Sequence, residues 1–281
     1  MDMSFTGTLE MLSKAQAGGY AVGAFNVENL EMIQAVISAA EKENSPVIIQ
    51  TTPGTLKYAP PEAFAGAVRA LAEKAAVPVA LHLDHGNSFE LTERCRNAGY
   101  SSLMIDGSLL PFEENITLSG SVVRASSPLP VEAELGTVGG KEDTHSADVL
   151  YTDPGQAAEF VSRTGISSFA PAIGTAHGVY KAEPKLSLSL LDEIRSRVPV
   201  PLVLHGTSGV PDETVRECIA RGICKVNYAT ELRITFTSAV RKALSEMPDA
   251  FDPKKYLGEG RSAVENRVAQ LIGVCGSGGK A

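Results

Sequence analysis

The sequence has only five histidines, and three of them, His85, His177 and His205, are each followed directly by glycine. Three neutral imidazoles and one open position make a catalytic zinc site, because nitrogen donors hold the ion while its charge stays available to polarise a substrate oxygen. Asp84 adjoins His85, and a carboxylate there can move a proton to or from a hydroxyl held near the ion. It can also serve as support for a ligand histidine. Asp106 and Glu134 are better suited to that supporting role, or to an alternative metal position. A lone histidine beside a strand is more often a hydrogen-bonded structural residue, so the metal reading rests on three of them converging. His82 lies two residues before Asp84 on the same strand face, and periodicity alone keeps it among the candidates. His145 falls in a Gly-rich, charged stretch and reads as solvated.

Convergence needs elements that bring distant residues to one place. Short apolar runs recur at Tyr20–Phe25, Val47–Thr51, Val79–Leu83, Ser102–Ile105, Val131–Leu135, Ser168–Ile173, Pro201–Leu204 and Cys224–Val226. Segments with helical spacing alternate with them: Leu30–Glu43, Pro61–Ala75, Phe89–Ala98, Pro111–Ala125, Pro154–Thr164, Leu188–Arg197, Pro211–Ala220 and Glu231–Ser245. Near-continuous apolar strands separated by helices predict a parallel sheet buried on both faces. Eight such units predict a closed TIM (β/α)8 barrel. The rival is an open doubly wound sheet, but no G-x-G-x-x-G follows the first strand. Polar residues cluster at the strand ends (Asn26, Thr52, Asp84, His85, Asp106, Glu134, His177, His205, Asn227), as they do at the C-terminal mouth of a barrel. We expect one barrel domain over residues 1–281, with a C-terminal extension of about 248–281 holding a helix near Ala263–Ile272. The stretch Gly136–Thr152 is expected to be a lid.

A formal net charge of -8 argues against a broad nucleic-acid surface, which needs clustered Lys and Arg. A small anion is still compatible, since backbone N–H groups can bind phosphate on an acidic protein. Gly206-Thr207-Ser208-Gly209 and Asn227-Tyr228-Ala229-Thr230 follow the last two strands, where barrels often build such a nest. The four cysteines form no C-x-x-C pair and read as reduced thiols. With no secretion signal and no run of 18 apolar residues, a cytoplasmic, non-membrane protein is expected.

The order Ala24-Phe25-Asn26, Leu81-His82-Leu83-Asp84-His85-Gly86, Met104-Ile105-Asp106-Gly107-Ser108, Pro111-Phe112-Glu113-Glu114-Asn115, Val131-Glu132-Ala133-Glu134-Leu135-Gly136, Gly139-Gly140-Lys141-Glu142-Asp143, Ile173-Gly174-Thr175-Ala176-His177-Gly178 and Leu204-His205-Gly206-Thr207-Ser208-Gly209 resembles the class II fructose-bisphosphate and tagatose-bisphosphate aldolases almost end to end. The tagatose-bisphosphate branch is the closest. The resemblance implies His85, His177 and His205 as zinc ligands, without His82, and Asp84 as the acid/base at the substrate's C4 hydroxyl. It implies Glu142 as a lid acid acting at C3, with Asp106 and Glu134 flanking the metal. Gly178, Lys181, Gly206, Ser208, Asn227 and Thr230, with Asn26 and Thr52, match positions that bind the dihydroxyacetone phosphate moiety. The implied cofactor is Zn2+, with a monovalent cation as an optional second ion, and the implied assembly is a homodimer or homotetramer.

Ala229 stands where the fructose-bisphosphate branch usually has Asp, which favours tagatose 1,6-bisphosphate. Fructose 1,6-bisphosphate, a deoxy-ketogluconate phosphate and a sulfonated sugar phosphate are the alternative substrates. Arg261 is a candidate for the distal phosphate but reads better as a solvated helix residue. Further departures are Thr207, Pro171 inside strand six, and a shortened segment at 124–130. Two rival functions are a Schiff-base aldolase using Lys225 and a sugar-phosphate binding protein without turnover.

Overall fold

The structure, a computed structural model, describes residues 5–142, 145–147, 150–178 and 184–281, without the side chains between 139 and 147. The first half runs α1 (Thr8–Gly18), β1 (Val22–Asn26), α2 (Leu30–Lys42), β2 (Val47–Thr51), α3 (Pro53–Tyr58), α4 (Pro61–Ala72), β3 (Val79–Gly86), α5 (Phe89–Ala98), β4 (Ser102–Ile105), α6 (Phe112–Ser126) and β5 (Val131–Leu135). The second runs β6 (Gly139–Glu142), β7 (His145–Ala147), α7 (Pro154–Thr164), β8 (Ser168–Pro171), β9 (Ala176–His177), α8 (Leu188–Arg197), β10 (Leu202–Leu204), α9 (Asp212–Ala220), β11 (Ile223–Tyr228), α10 (Thr230–Glu246) and α11 (Pro253–Cys275).

Eight parallel strands close in the order β1-β11-β10-β8-β5-β4-β3-β2. Closure occurs where β1 pairs with β11, Val22 opposite Lys225 and Phe25 opposite Tyr228. This is the (β/α)8 barrel expected from the alternation of apolar strands and helices. Strand side chains alternate between two faces. Phe25, Ile49, Leu81, Leu103, Ala133 and Phe169 point outward into the layer beneath the helices. Val22, Ala24, Ile48 and Ala80 point inward and form a second apolar cluster with Met11, Leu12 and Ala15 of α1. That helix therefore plugs the N-terminal end of the barrel, and Thr8 Oγ1 reaches Ser102 Oγ at 2.9 Å. The interior is apolar at this end and polar at the other.

Local chemistry sets most boundaries. Pro61 and Pro154 open their helices at the first turn, where a missing N–H costs nothing. Pro111 and Pro211 instead sit one residue earlier, as N-caps. The sixth barrel strand was expected to reach Ile173 but ends at Pro171, which has no N–H for the ladder. The short α3 carries no helical period long enough to read, yet Thr52 caps it and Pro53 opens it. The tail helix is longer than expected because Gly258 and Gly260 dilute its apolar pattern, while Asp252 caps it by accepting from Lys254 N. It packs against α2 and α10 of its own barrel. Among the described residues, no helix is long and apolar enough to cross a membrane.

The stretch expected to form a lid contributes β6 and β7, which with β9 make a small sheet in the order β7-β6-β9. Gly140 is in register with His177. Backbone pairing thus ties this segment to the one that carries a candidate ligand.

Candidate active site

Asp84 and His85 are consecutive, so in a regular strand their side chains would point to opposite faces. Two irregularities bring both to the mouth. The register of β3 against β4 shifts between Leu83 and Gly86, and His85 has φ 47°, a left-handed conformation that is unfavourable for a residue with a Cβ. Gly86 follows at a point where a Cβ would lie 2.4 Å from the Met104 carbonyl oxygen. The site accepts this strain for the position of one imidazole.

His85, His177 and His205 converge from β3, β9 and the end of β10. Their ring centroids are 4.8 Å apart for His85–His177, 4.7 Å for His85–His205 and 6.2 Å for His177–His205. One donor atom from each lies within 4.8 Å of the others. A tetrahedral zinc with bonds of about 2.1 Å holds its nitrogens roughly 3.4 Å apart, so this donor set suits a single zinc ion after small side-chain adjustment. A second group, His85 with Asp106 and Glu134, meets the same distance limit.

The electrostatics around the three rings differ. Burial, followed by the neighbouring His85 and His205, holds His177 well below the ordinary histidine value, so it is neutral and ready to donate a lone pair. Burial also disfavours charge on His205, but hydrogen bonds to Glu132 and Glu134 outweigh it and raise the group to about 9. Its Nε2 is 2.8 Å from Glu132 Oε1 and its Nδ1 is 3.1 Å from Glu134 Oε2. Burial works against ionisation of Asp106, yet its 2.9 Å hydrogen bond with His85 Nδ1 holds it well below the usual carboxylate range. Burial and the nearby Asp106 push Glu134 upward.

Asp84 is 1% exposed. Its Oδ2 accepts from Asn26 Nδ2 at 2.8 Å and its Oδ1 from Asn227 Nδ2 at 3.0 Å. Gln50 Nε2 donates to Asn26 Oδ1 at 2.7 Å, which orients that amide. Below this layer Lys225 Nζ binds Glu132 Oε2 at 2.9 Å and Oε1 at 3.2 Å. His82 belongs to the same layer: its Nδ1 meets Ser102 Oγ at 2.8 Å, and burial, then Lys225, lower it to about 3. It is not among the residues whose donor atoms gather at either metal-suited cluster.

A pocket of about 400 Å³ opens over the cluster, and its lining includes Asn26, Asp84, His85, His177, Gly178, Gly206, Ser208, Asn227, Thr230 and Arg233. Gly206 has φ 65°, and a Cβ there would fall 2.7 Å from the Ala176 carbonyl oxygen, so the loop must be glycine to pass so close to β9. Ser208 Oγ accepts from Glu231 N at 3.4 Å and links the two candidate phosphate loops. Thr52 is fully buried, caps α3 through Thr55 N, and is not part of this lining. The side chains of Glu142 and His145, and all of Lys181, lie outside the described residues.

Sequence reasoning singled out neither Gln50, Glu132 nor Arg233, and considered Lys225 only as a nucleophile. A signal for three of these was present. Glu132 is two residues before Glu134, Lys225 two before Asn227, and Gln50 two before Thr52, each on one strand face by the period of two. Arg233 carried no such mark.

The family model for fructose-bisphosphate aldolase class-II matches residues 6–280. The chain belongs to that family and is a class II aldolase, a carbon–carbon lyase. It is 48% identical over 275 residues to the D-tagatose-1,6-bisphosphate aldolase subunit GatY of Klebsiella oxytoca, covering 96% of this chain and 97% of that one. It is 45% identical to a fructose-bisphosphate aldolase of Geobacillus stearothermophilus, covering 99% of each. The crystal structure of the YdjI aldolase from Escherichia coli K12 superposes with a TM-score of 0.88 at 41% identity and covers 99% of both chains.

Proposed function

We propose that this aldolase is zinc-dependent and reversibly cleaves a ketose 1,6-bisphosphate, tagatose 1,6-bisphosphate first, to dihydroxyacetone phosphate and glyceraldehyde 3-phosphate. The observation that carries the proposal is a cluster of three converging imidazoles at the floor of a pocket that also holds an aspartate fixed by two amides and a glycine-rich loop beside a helix N-terminus. His85, His177 and His205 would hold the ion, which supplies Lewis acidity at the ketone oxygen. Nε2 of His205 is engaged by Glu132, so Nδ1, shared with Glu134, is the atom to be yielded.

Asp84 takes the proton of the C4 hydroxyl as the C3–C4 bond breaks, leaving an aldehyde and an electron pair on C3. Asn26 and Asn227 keep its two oxygens in place and so fix where that proton goes. Glu142, in the lid segment, returns a proton to C3. Gly178, Lys181, Gly206, Ser208, Asn227 and Thr230 bind the phosphate of the dihydroxyacetone half, aided by backbone N–H groups at the start of α10. Asp106 orients His85 through Nδ1 and Glu132 orients His205 through Nε2, with Glu134 flanking the ion. The whole chain works as one catalytic unit with α11 as an extension, in the cytoplasm and as a homodimer or homotetramer.

Support for the tagatose configuration comes from Ala229 and from the identity to GatY. The comparable identity to a fructose-bisphosphate aldolase keeps fructose 1,6-bisphosphate as the second reading. Assaying ketose 1-phosphates epimeric at C4 and varied at C6, with and without chelator, tests both. Full activity after complete demetallation, or a borohydride-trapped adduct on Lys225, would overturn the proposal.

A further inference from the structure

Strand β10 ends at Leu204, and its register with β11 runs no further than Leu204 opposite Val226. The backbone seam between the two strands therefore stops one residue short of Asn227, whose amide holds Asp84 Oδ1. Beyond Leu204 the chain runs through His205 into Gly206-Thr207-Ser208-Gly209, where Gly206 (φ 65°) and Gly209 (φ 100°) both take the left-handed conformation. A short loop flanked by two such glycines has little backbone preference of its own, because glycine populates positive and negative φ about equally. Its place beside the pocket is set by contacts with its neighbours.

Two side chains of the loop make such contacts. Thr207 is 2% exposed and lines the pocket, and its Oγ1 donates to the main-chain carbonyl of Asn227. Ser208 Oγ accepts from Glu231 N at 3.4 Å. Consecutive residues thus stitch the loop to the end of β11 and to the first turn of α10. The Thr207 bond is the buried one of the two, and it continues the seam where backbone pairing stops. The carbonyl of Thr207 also accepts from Val210 N at 2.9 Å, which closes a turn over the loop. The chain departs from the aldolases it resembles at this residue, so the tether is particular to this protein.

We propose that Thr207 is a positioning residue for substrate binding, whose hydroxyl holds the loop after β10 against β11 and so fixes the phosphate nest before the substrate arrives. The inference rests on the reading that this nest takes the phosphate of a ketose phosphate. Ordering a loop is a cost that otherwise falls on the binding step, and a loop already held in place avoids it. The tether therefore acts on phosphate affinity and KM. Asn227 is held from its other side by pairing with Ala24 of β1, so its amide keeps its place on Asp84 when the tether is cut, and kcat changes much less than KM.

The test uses the metal-loaded full chain and the variants Thr207→Val, Thr207→Ser and Thr207→Ala. Val keeps the branched shape and removes the donor, Ser keeps the donor and removes the methyl, and Ala removes both. Inorganic phosphate binding is measured by calorimetry, and KM and kcat on a ketose 1,6-bisphosphate. Amide hydrogen exchange of residues 206–210 is followed by mass spectrometry in the ligand-free protein, and thermal midpoints check folding. The loss of one neutral hydrogen bond predicts that Thr207→Val and Thr207→Ala weaken phosphate binding and raise KM roughly 3- to 10-fold. Their kcat should stay within about twofold of wild type, because the lost term is common to ground and transition states. Exchange in the loop should accelerate by a similar factor to the loss of affinity. Thr207→Ser, which retains the donor, should stay within about twofold of wild type in every measurement.

The proposal is overturned if Thr207→Val leaves phosphate affinity and KM at wild-type values, whatever its thermal stability, since the hydroxyl then only braces the fold. Phosphate affinity that falls while loop exchange is unchanged also overturns it, because that is the behaviour of a hydroxyl touching the phosphate itself. A Thr207→Ser protein that loses as much as Thr207→Val sinks it too, since the methyl group is then the part that matters. Wild-type protein that binds no inorganic phosphate overturns it as well. If wild type cleaves no ketose phosphate but Thr207→Val still weakens phosphate binding and loosens the loop, the functional reading fails and the Thr207 assignment stands.

Discussion

Replacing Lys225 by Met isolates the layer beneath the metal-suited cluster. Lys225 is 0% exposed and Glu132 is 1% exposed, and the ammonium contacts both carboxylate oxygens. Met fills the volume of the lysine stem, so the loss is one of charge and not of packing. Removing one partner of a buried ion pair costs about 3–5 kcal/mol, because the other charge is left uncompensated in a low-dielectric interior. At roughly 2–4 °C per kcal/mol for a chain of this size, the midpoint should fall by roughly 6–20 °C. Glu132 also holds Nε2 of His205, and losing an orienting partner typically weakens a metal site about 10- to 100-fold.

Thermal and urea unfolding of the metal-free protein measure the first effect. Zinc titration against a competing chelator measures the second. Adding Glu132→Gln should recover about 1 kcal/mol or more relative to Lys225→Met alone, because the stranded carboxylate is gone. A Lys225→Met protein within about 1 kcal/mol of wild type, with unaltered zinc affinity, would refute the argued role of the pair.

Asp84→Asn should lower kcat by about 10²–10⁴ while the zinc content measured by atomic absorption stays the same, since the proposed mechanism gives that group a proton to move and no metal to bind. The metal-free protein should lose stability as the pH rises. His205 is raised from 6.5 to about 9 when folded, so its contribution is complete below pH 6.5 and disappears as the pH climbs through 9. Urea midpoints across that range check this, and a flat profile contradicts it. Cys95, Cys218 and Cys275 are buried thiols pushed up to about 12 by desolvation, and Cys224 is buried and raised too. A thiol reagent at pH 8 should therefore label none of them in the native protein and all four after denaturation.

Much of the fold was legible from local physics. Apolar strands alternating with helical segments specify strands buried on both faces, and the end of each strand marks a mouth residue whatever its partners are. The period of two along β2, β3, β5 and β11 also places Gln50, His82, Glu132 and Lys225 on the inner face. A repeating pattern reports which face a side chain takes. It carries no information on which strands become neighbours or on where a strand departs from regularity.

Those two matters belonged to the closed barrel. Strand order and stagger bring Lys225 of β11 to Glu132 of β5 and set Glu132 behind His205, with Glu134 beside it. The register shift in β3 and the left-handed backbone of His85 turn two consecutive residues toward one pocket, where a regular strand would have separated them. The Glu28–Arg233 pair joins the loop after β1 to the first turn of α10, which are adjacent because β1 closes on β11. The residue types determine the available chemistry, and barrel closure decides which of those residues meet, because distances across it depend on strands remote in sequence.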